Sequence, residues 1–118
     1  MDQLKEILLV PFLRPLIHYS LHLIFPLFIA YKWFNKPKGS WKKAYIILLC
    51  TMAIDLDHLL ATPIFDPDRC SVGFHFLHSY VAIGLYCALL ASSKFRVAAV
   101  GLLFHVLTDY IDCLWMRL

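Results

Sequence analysis

Histidine and aspartate side chains recur at helical spacing in the apolar stretches of this chain. Ten of them are candidate metal ligands: His18, His22, Asp55, Asp57, His58, His75, His78, His105, Asp109 and Asp112. Most neighbours within a stretch are three or four residues apart, which places them on one face of a helix. Ionisable side chains are costly in hydrocarbon, so the pattern predicts a functional site. Imidazole and carboxylate together suit zinc, iron or manganese.

The candidates outnumber the ligands of a single ion. We therefore expect two or three zinc ions, with iron or manganese as alternatives. A carboxylate outside the ligand set would act as general base, and Asp57 and Asp112 are the candidates. Orienting a ligand imidazole is the alternative role for Asp57, which lies on a different helical face from Asp55. Arg69 and Arg14 are expected to bind an anionic substrate head group.

The chain is too apolar to cover itself in water. Of its 118 residues 61% are hydrophobic and 16% are charged, with a mean hydropathy of +0.70, whereas soluble domains carry about 25% charged residues. These values predict a single all-α membrane domain with four transmembrane helices. The helices are expected at about residues 16–34, 44–61, 76–91 and 97–115, each roughly one bilayer long. A short interfacial amphipathic helix over residues 1–13 precedes them, with Pro11 and Pro15 at the bend.

The candidate ligands lie at a similar depth in the membrane in all four predicted spans. Because successive spans reverse direction, all the candidate ligands are expected in one leaflet, around a cavity open to one face of the membrane. Connections one and three share the other face. They hold seven of the eleven basic residues: Lys32, Lys36, Lys38, Lys42, Lys43, Lys94 and Arg96. Basic loops stay in the cytoplasm, which places the termini and the metal site on the outer side.

Two cysteines and two glycines carry further expectations. Cys70 and Cys113 both fall on the predicted outer side, where an oxidising compartment would join them in a disulfide. Gly84 and Gly101 would let helices approach closely. A homodimer would bury more of the third span, and the sequence leaves monomer and dimer open. No nucleic-acid motif is present.

Three short motifs resemble those of the bacterial membrane-bound, metal-dependent hydrolase family. They are Asp55-Leu56-Asp57-His58, Gly73-Phe74-His75-Phe76-Leu77-His78-Ser79 and His105-Val106-Leu107-Thr108-Asp109. Phe76 and Leu77 stand where that family has a polar stretch. The resemblance implies a bacterial inner-membrane hydrolase with metal ligands at Asp55, Asp57, His58, His75, His78, His105 and Asp109. The chain also resembles a smaller family of short bacterial membrane proteins of unknown function.

These observations favour a zinc phosphoesterase acting on a lipid or amphiphilic phosphate, because clustered ions activate water and stabilise charge on phosphoryl oxygens. A di-iron membrane oxidase or hydroxylase is the first alternative, since it too gathers histidines on spanning helices. A non-enzymatic metal-binding or metal-transport protein is the second. A relay of protons between histidine and aspartate, or simple hydrogen bonding between helices, would need no metal.

Overall fold

The computed structural model describes residues 2–66 and 68–116, with all their side chains except those of residues 2, 4–6 and 8–10. Five α-helices occur in this part of the chain: α1 (Asp2–Leu23), α2 (Phe25–Trp33), α3 (Trp41–Cys50), α4 (Tyr80–Leu89) and α5 (Arg96–Met116). A long 3-10 helix (Thr51–Leu60) follows α3 directly, and a short 3-10 turn (Phe76–His78) precedes α4. The described residues form no strand, which confirms the all-α prediction.

The first helical segment is interrupted at a different place from the one predicted. Residues 2–13 are helical as expected, with residue 1 outside the described part, but α1 runs through Pro11 and Pro15 without a break. The interruption lies at Ile24, between α1 and α2. Pro26 explains it, since proline has no N–H to donate to the carbonyl of His22 four residues earlier. The interruption of the helix therefore lies at Pro26 and not at Pro11 and Pro15, where the helix is continuous.

Two helical stretches among the described residues are long and apolar enough to cross a bilayer. They are Pro11–Trp33 and Arg96–Met116, of which the second matches the predicted fourth span. Helix α4 has ten residues and is too short by this measure. Helix α3 and the long 3-10 helix follow one another over residues 41–60, a run of roughly 35 Å at the rises of the two helix types. Four spans remain a prediction.

Helix α5 packs against both apolar core clusters of the protein. Its first half packs on a core cluster of Ile29, Ala30, Ala44 and Leu48, through Val97, Val100 and Phe104. A second cluster joins Val106 to Ile54, Ala82 and Tyr86. The other helical elements thus lie around α5, and the polar residues of its second half face their ends.

Gly101 allows α5 to contact the start of the long 3-10 helix. A Cβ atom at this position would lie 2.7 Å from Cγ2 of Thr51 and 3.0 Å from Cδ2 of Leu48. At Gly84 a Cβ atom would meet nothing within 4 Å. The expectation of a close approach is therefore confirmed at Gly101, whereas at Gly84 no other helix of the same chain comes close.

Gly101→Ala is expected to destabilise the fold by about 1–2 kcal/mol. The added methyl group would overlap the stiff, buried Thr51 side chain, and overpacking of this kind costs about 1–3 kcal/mol, more than the helix propensity of alanine returns. Gly84→Ala is the matched control and should leave the thermal midpoint in detergent unchanged or raised. Combining Gly101→Ala with Thr51→Ala should recover part of the loss. Equal midpoints for the two single alanine variants would contradict the packing account.

The predicted disulfide between Cys70 and Cys113 is confirmed. It joins the connection before α4 to the last turns of α5, with the two Cα atoms 5.1 Å apart. Cys50 and Cys87 are free and lie at the surface. The segment that follows the long 3-10 helix is consequently held against the end of α5 that carries Asp109.

Candidate metal centre

Four candidate ligand side chains from three elements converge at the second half of α5. Asp55 comes from the long 3-10 helix, His78 from the short 3-10 turn, and His105 and Asp109 from successive turns of α5. We call these four residues the central group. His78 has no exposed side-chain surface and His105 is 2% exposed, whereas the Asp55 side chain is 38% exposed and faces a cavity.

The distances within the central group suit a shared ion. His78 Nε2 lies 2.8 Å from Asp109 Oδ2 and 3.4 Å from Asp55 Oδ1. His105 Nε2 lies 3.2 Å from Asp109 Oδ2 and 3.0 Å from Asp55 Oδ1. Ligand atoms bound at about 2.1 Å to one ion are about 3.0–3.4 Å apart in octahedral or tetrahedral geometry. The four nitrogen–oxygen distances are thus close to those of a coordination shell, and all four ligand atoms lie within 4.8 Å of one another.

Three side-chain atoms of the central group are buried without a hydrogen-bond partner among the described residues. These are His78 Nε2, Asp109 Oδ2 and His105 Nδ1. His78 Nε2 and Asp109 Oδ2 lie 2.8 Å apart, but the angles are not those of a hydrogen bond. A buried polar atom left unpaired costs about 1–3 kcal/mol, and a cation between the two would satisfy both. The residues present therefore fit a metal ion.

Asp57 orients His78 from behind. Its Oδ2 accepts a hydrogen bond from His78 Nδ1 at 2.7 Å and a second from the backbone N–H of Leu77 at 2.9 Å. Because a carboxylate only accepts, Nδ1 carries a proton, so Nε2 is the ring nitrogen that can bind an ion in the central group. The Leu77 N–H is a contributor that side-chain patterns could not have revealed.

A second group shares Asp109 with the first. Asp109 Oδ1 lies 3.2 Å from His22 Nε2 and 3.7 Å from His18 Nε2, both on α1. The ring centroids of His22 and His105 are 4.3 Å apart. The two oxygens of Asp109 thus face different histidine pairs, the arrangement of a carboxylate that bridges two ions. We call His18, His22 and Asp109 the α1 group.

A third group consists of Asp57, His58 and His75. Asp57 Oδ1 lies 3.0 Å from His58 Nδ1, and the rings of His58 and His75 stack with centroids 3.9 Å apart. His75 precedes the predicted third span. Burial lowers the pKa of its imidazole, and the neighbouring His58 lowers it further. The His75 ring is accordingly neutral near pH 7, as a metal ligand must be.

Asp112 is the one predicted ligand that the structure does not bring to any of these groups. Its two oxygens accept hydrogen bonds from Arg14, at 2.8 Å from Nε and 2.9 Å from Nη2. This two-point pairing occupies the carboxylate predicted as a base and the guanidinium predicted to bind substrate. Arg69 donates to the carbonyls of Pro63 and Ile64 and lies over the Phe74 ring.

A cavity of about 590 Å³ opens beside the central and α1 groups. Its wall includes both predicted substrate-binding arginines and one residue of the disulfide, Cys113. Four ligand residues reach it: His18, Asp55, His58 and Asp109. Apolar side chains complete the lining, among them Tyr19, Met52 and Phe65, which the sequence analysis did not single out.

The fold and the site together define an all-helical chain that gathers histidines and aspartates around one shared carboxylate. Residues 12–116 match the family described as "Family of unknown function (DUF6122)", and the chain belongs to this family. The expected resemblance to a short family of unknown function is thereby confirmed. Neither a comparison with the curated proteins nor one with the solved structures found a match.

Proposed function

We propose that this protein is a membrane-embedded, metal-dependent phosphoesterase that acts on a lipid or amphiphilic phosphate. The observation that carries the proposal is the shared carboxylate of Asp109, which faces the central group through Oδ2 and the α1 group through Oδ1. Two zinc ions, one in each group, would then lie side by side at the cavity. Paired ions bridged in this way are typical of enzymes that hydrolyse phosphate esters.

Exposed apolar side chains support a location in the membrane. Leu16 and Phe28 in the first segment, and Val81 and Leu85 on α4, each expose more than 60% of their surface. Surfaces of this kind are stable in lipid. Four spans in the bacterial inner membrane, with the cavity on the outer side, also agree with the Cys70–Cys113 disulfide, which needs an oxidising compartment.

Bound zinc would supply an activated water and would neutralise charge on the phosphoryl oxygens. The chain's own residues position these ions and the substrate. His78 and His105 are held in place by burial, and Asp57 fixes the tautomer of His78. Both oxygens of Asp57 are engaged, so orienting the ligand, rather than taking a proton, is the role we assign to it.

The cavity wall supports an anionic, partly apolar substrate. Arg69 lies at the cavity with its guanidinium fixed over Phe74, at 4.7 Å from the ring centroid. Arg14 lies on the same wall, bound to Asp112. Apolar side chains of the same cavity wall would exclude water from the reacting bond and contact the substrate's hydrocarbon portion.

The test uses the full chain in lipid nanodiscs, stripped of metal and reloaded with zinc. We expect zinc-dependent phosphate release from one class in a panel of phospholipids, prenyl phosphates and other lipid phosphates. The His105→Gln variant, still folded, should release none. Absence of metal-dependent release from the whole panel would overturn the proposal. Iron in the native protein, with near-ultraviolet oxo-bridge absorption, would instead favour the di-iron oxidase, since a bridging carboxylate serves that chemistry as well.

A further inference from the structure

We infer that Asp57, His58 and His75 form a third metal site, separate from the two groups that share Asp109. One ligand atom from each of these residues lies within 4.8 Å of the others. Two imidazoles and a carboxylate are a common set of protein ligands for zinc, and three such ligands leave a position open for water or an anion. The inference concerns metal binding alone and does not depend on the hydrolytic activity proposed above.

The imidazole ring of His78 separates this site from the central group. Its Nδ1 binds Asp57 Oδ2 at 2.7 Å, while its Nε2 lies among the central ligands, 2.8 Å from Asp109 Oδ2. An ion held by Asp57 Oδ1 is therefore on the far side of the ring from the central group. The two sites are joined through one carboxylate but share no ligand atom.

The surroundings of the His75 imidazole give an independent reason to expect a metal ion at this site. The residue is only 4% exposed, yet its ring nitrogens make no hydrogen bond with the described residues. The imidazole instead borders the second cavity. A cation between the His75 ring and Asp57 would give it the polar partner that the described residues do not supply.

The site also has its own route to solvent or lipid. A second cavity of about 410 Å³ reaches Asp57 and His75, with Phe74, Phe76 and Ser79 among the residues that line it. The main cavity reaches His58 on the other side. A metal ion could thus enter the third site without passing the central group.

Occupation of this site would tie two segments together near the catalytic ligands. Asp57 and His58 lie near the end of the long 3-10 helix, and His75 lies just before the short 3-10 turn that carries His78. With an ion on Oδ1, Asp57 keeps its Oδ2 on His78. We therefore assign this ion a positioning role towards His78 rather than contact with substrate.

The experiment counts zinc bound per chain by elemental analysis of the full-length protein, stripped of metal and reloaded with Zn²⁺ alone. The wild-type protein is expected to bind three ions and the His75→Gln variant two. The matched control is Val81→Leu, a change at an exposed residue of α4 outside both cavities, which should leave the count at three. A zinc count for His75→Gln equal to that of the wild type would overturn the inference.

A second measurement tests the third site in the wild-type protein, so that its result does not depend on whether the variant folds. Anomalous scattering at the zinc edge from the wild-type protein should show a peak among Asp57, His58 and His75. Peaks at Asp109 with none at this position would refute the third site and leave the proposed function standing. Three occupied zinc sites without phosphate release would support the third site and overturn the proposed phosphoesterase. A protein that takes up no zinc at all would overturn both proposals.

Discussion

Asp109→Asn is expected to abolish binding of both ions that the proposed function requires. The two oxygens of Asp109 face different histidine pairs, so replacing one oxygen by an amide nitrogen removes a negatively charged ligand from both groups at once. Substitution of residues that only orient ligands typically costs about 10–100-fold in metal affinity. We expect loss of a shared ligand to lower zinc affinity by more than about 100-fold, measured by competition with a chelator of known strength.

Asp112→Asn provides the matched control on the same helix. Asp112 lies three residues beyond Asp109 and is paired with Arg14 outside the three groups. Its zinc stoichiometry and affinity should match those of the wild-type protein. If Asp112→Asn lost zinc as completely as Asp109→Asn, Asp112 would be a ligand after all, and the division of the site described above would be incorrect.

Removal of the disulfide is expected to destabilise the protein by about 4 kcal/mol. Cys70 and Cys113 are 43 residues apart, and the entropy of closing a loop of that length in the unfolded chain corresponds to about this value. The double variant Cys70→Ser/Cys113→Ser should therefore lower the thermal midpoint in detergent by roughly 10–20 °C. Reducing agent should lower the wild-type midpoint by a similar amount.

The two free cysteines make a direct comparison possible. Cys50 and Cys87 lie at the surface and are not bonded to each other. A Cys50→Ser/Cys87→Ser variant changes the same number of cysteines and should keep the wild-type midpoint. Equal destabilisation by the two double variants, or insensitivity of the wild type to reductant, would show that the bond between the connection and α5 contributes nothing.

The disulfide and the metal groups act on the same region of the molecule. Cys113 is one helical turn beyond Asp109, and the segment bonded to it carries Arg69 into the cavity wall. One side of the cavity is thus held covalently. The other side is held by the Arg14–Asp112 ion pair between α1 and α5. In a chain with two small apolar clusters, these links and the metal ions would contribute much of what fixes the site.

The amino-acid sequence by itself determined the helical class and the histidine and aspartate side chains that gather beside α5. These properties follow from local patterns, because apolar composition and spacings of three or four residues need no knowledge of how helices pack. The predicted bounds of the last helix were accurate for the same reason, since Arg96–Met116 is uninterrupted and apolar. The disulfide partners followed from the predicted order of the spans, which placed Cys70 and Cys113 on the same side. Prolines were harder to interpret: of Pro11, Pro15 and Pro26, only the third accompanies a break.

Only the tertiary structure decided how ten candidate residues divide into groups. Whether a carboxylate on α5 meets a histidine or an arginine depends on the rotation and offset of α1 against α5. Asp109 and Asp112 are only about 4.5 Å apart along the helix axis, yet the first meets His22 and the second meets Arg14. The dual contacts of Asp57 likewise depend on a backbone N–H and on a 3-10 helix in place of an α-helix. Distances between side chains of different helices are set by packing, which spacing within one helix does not encode.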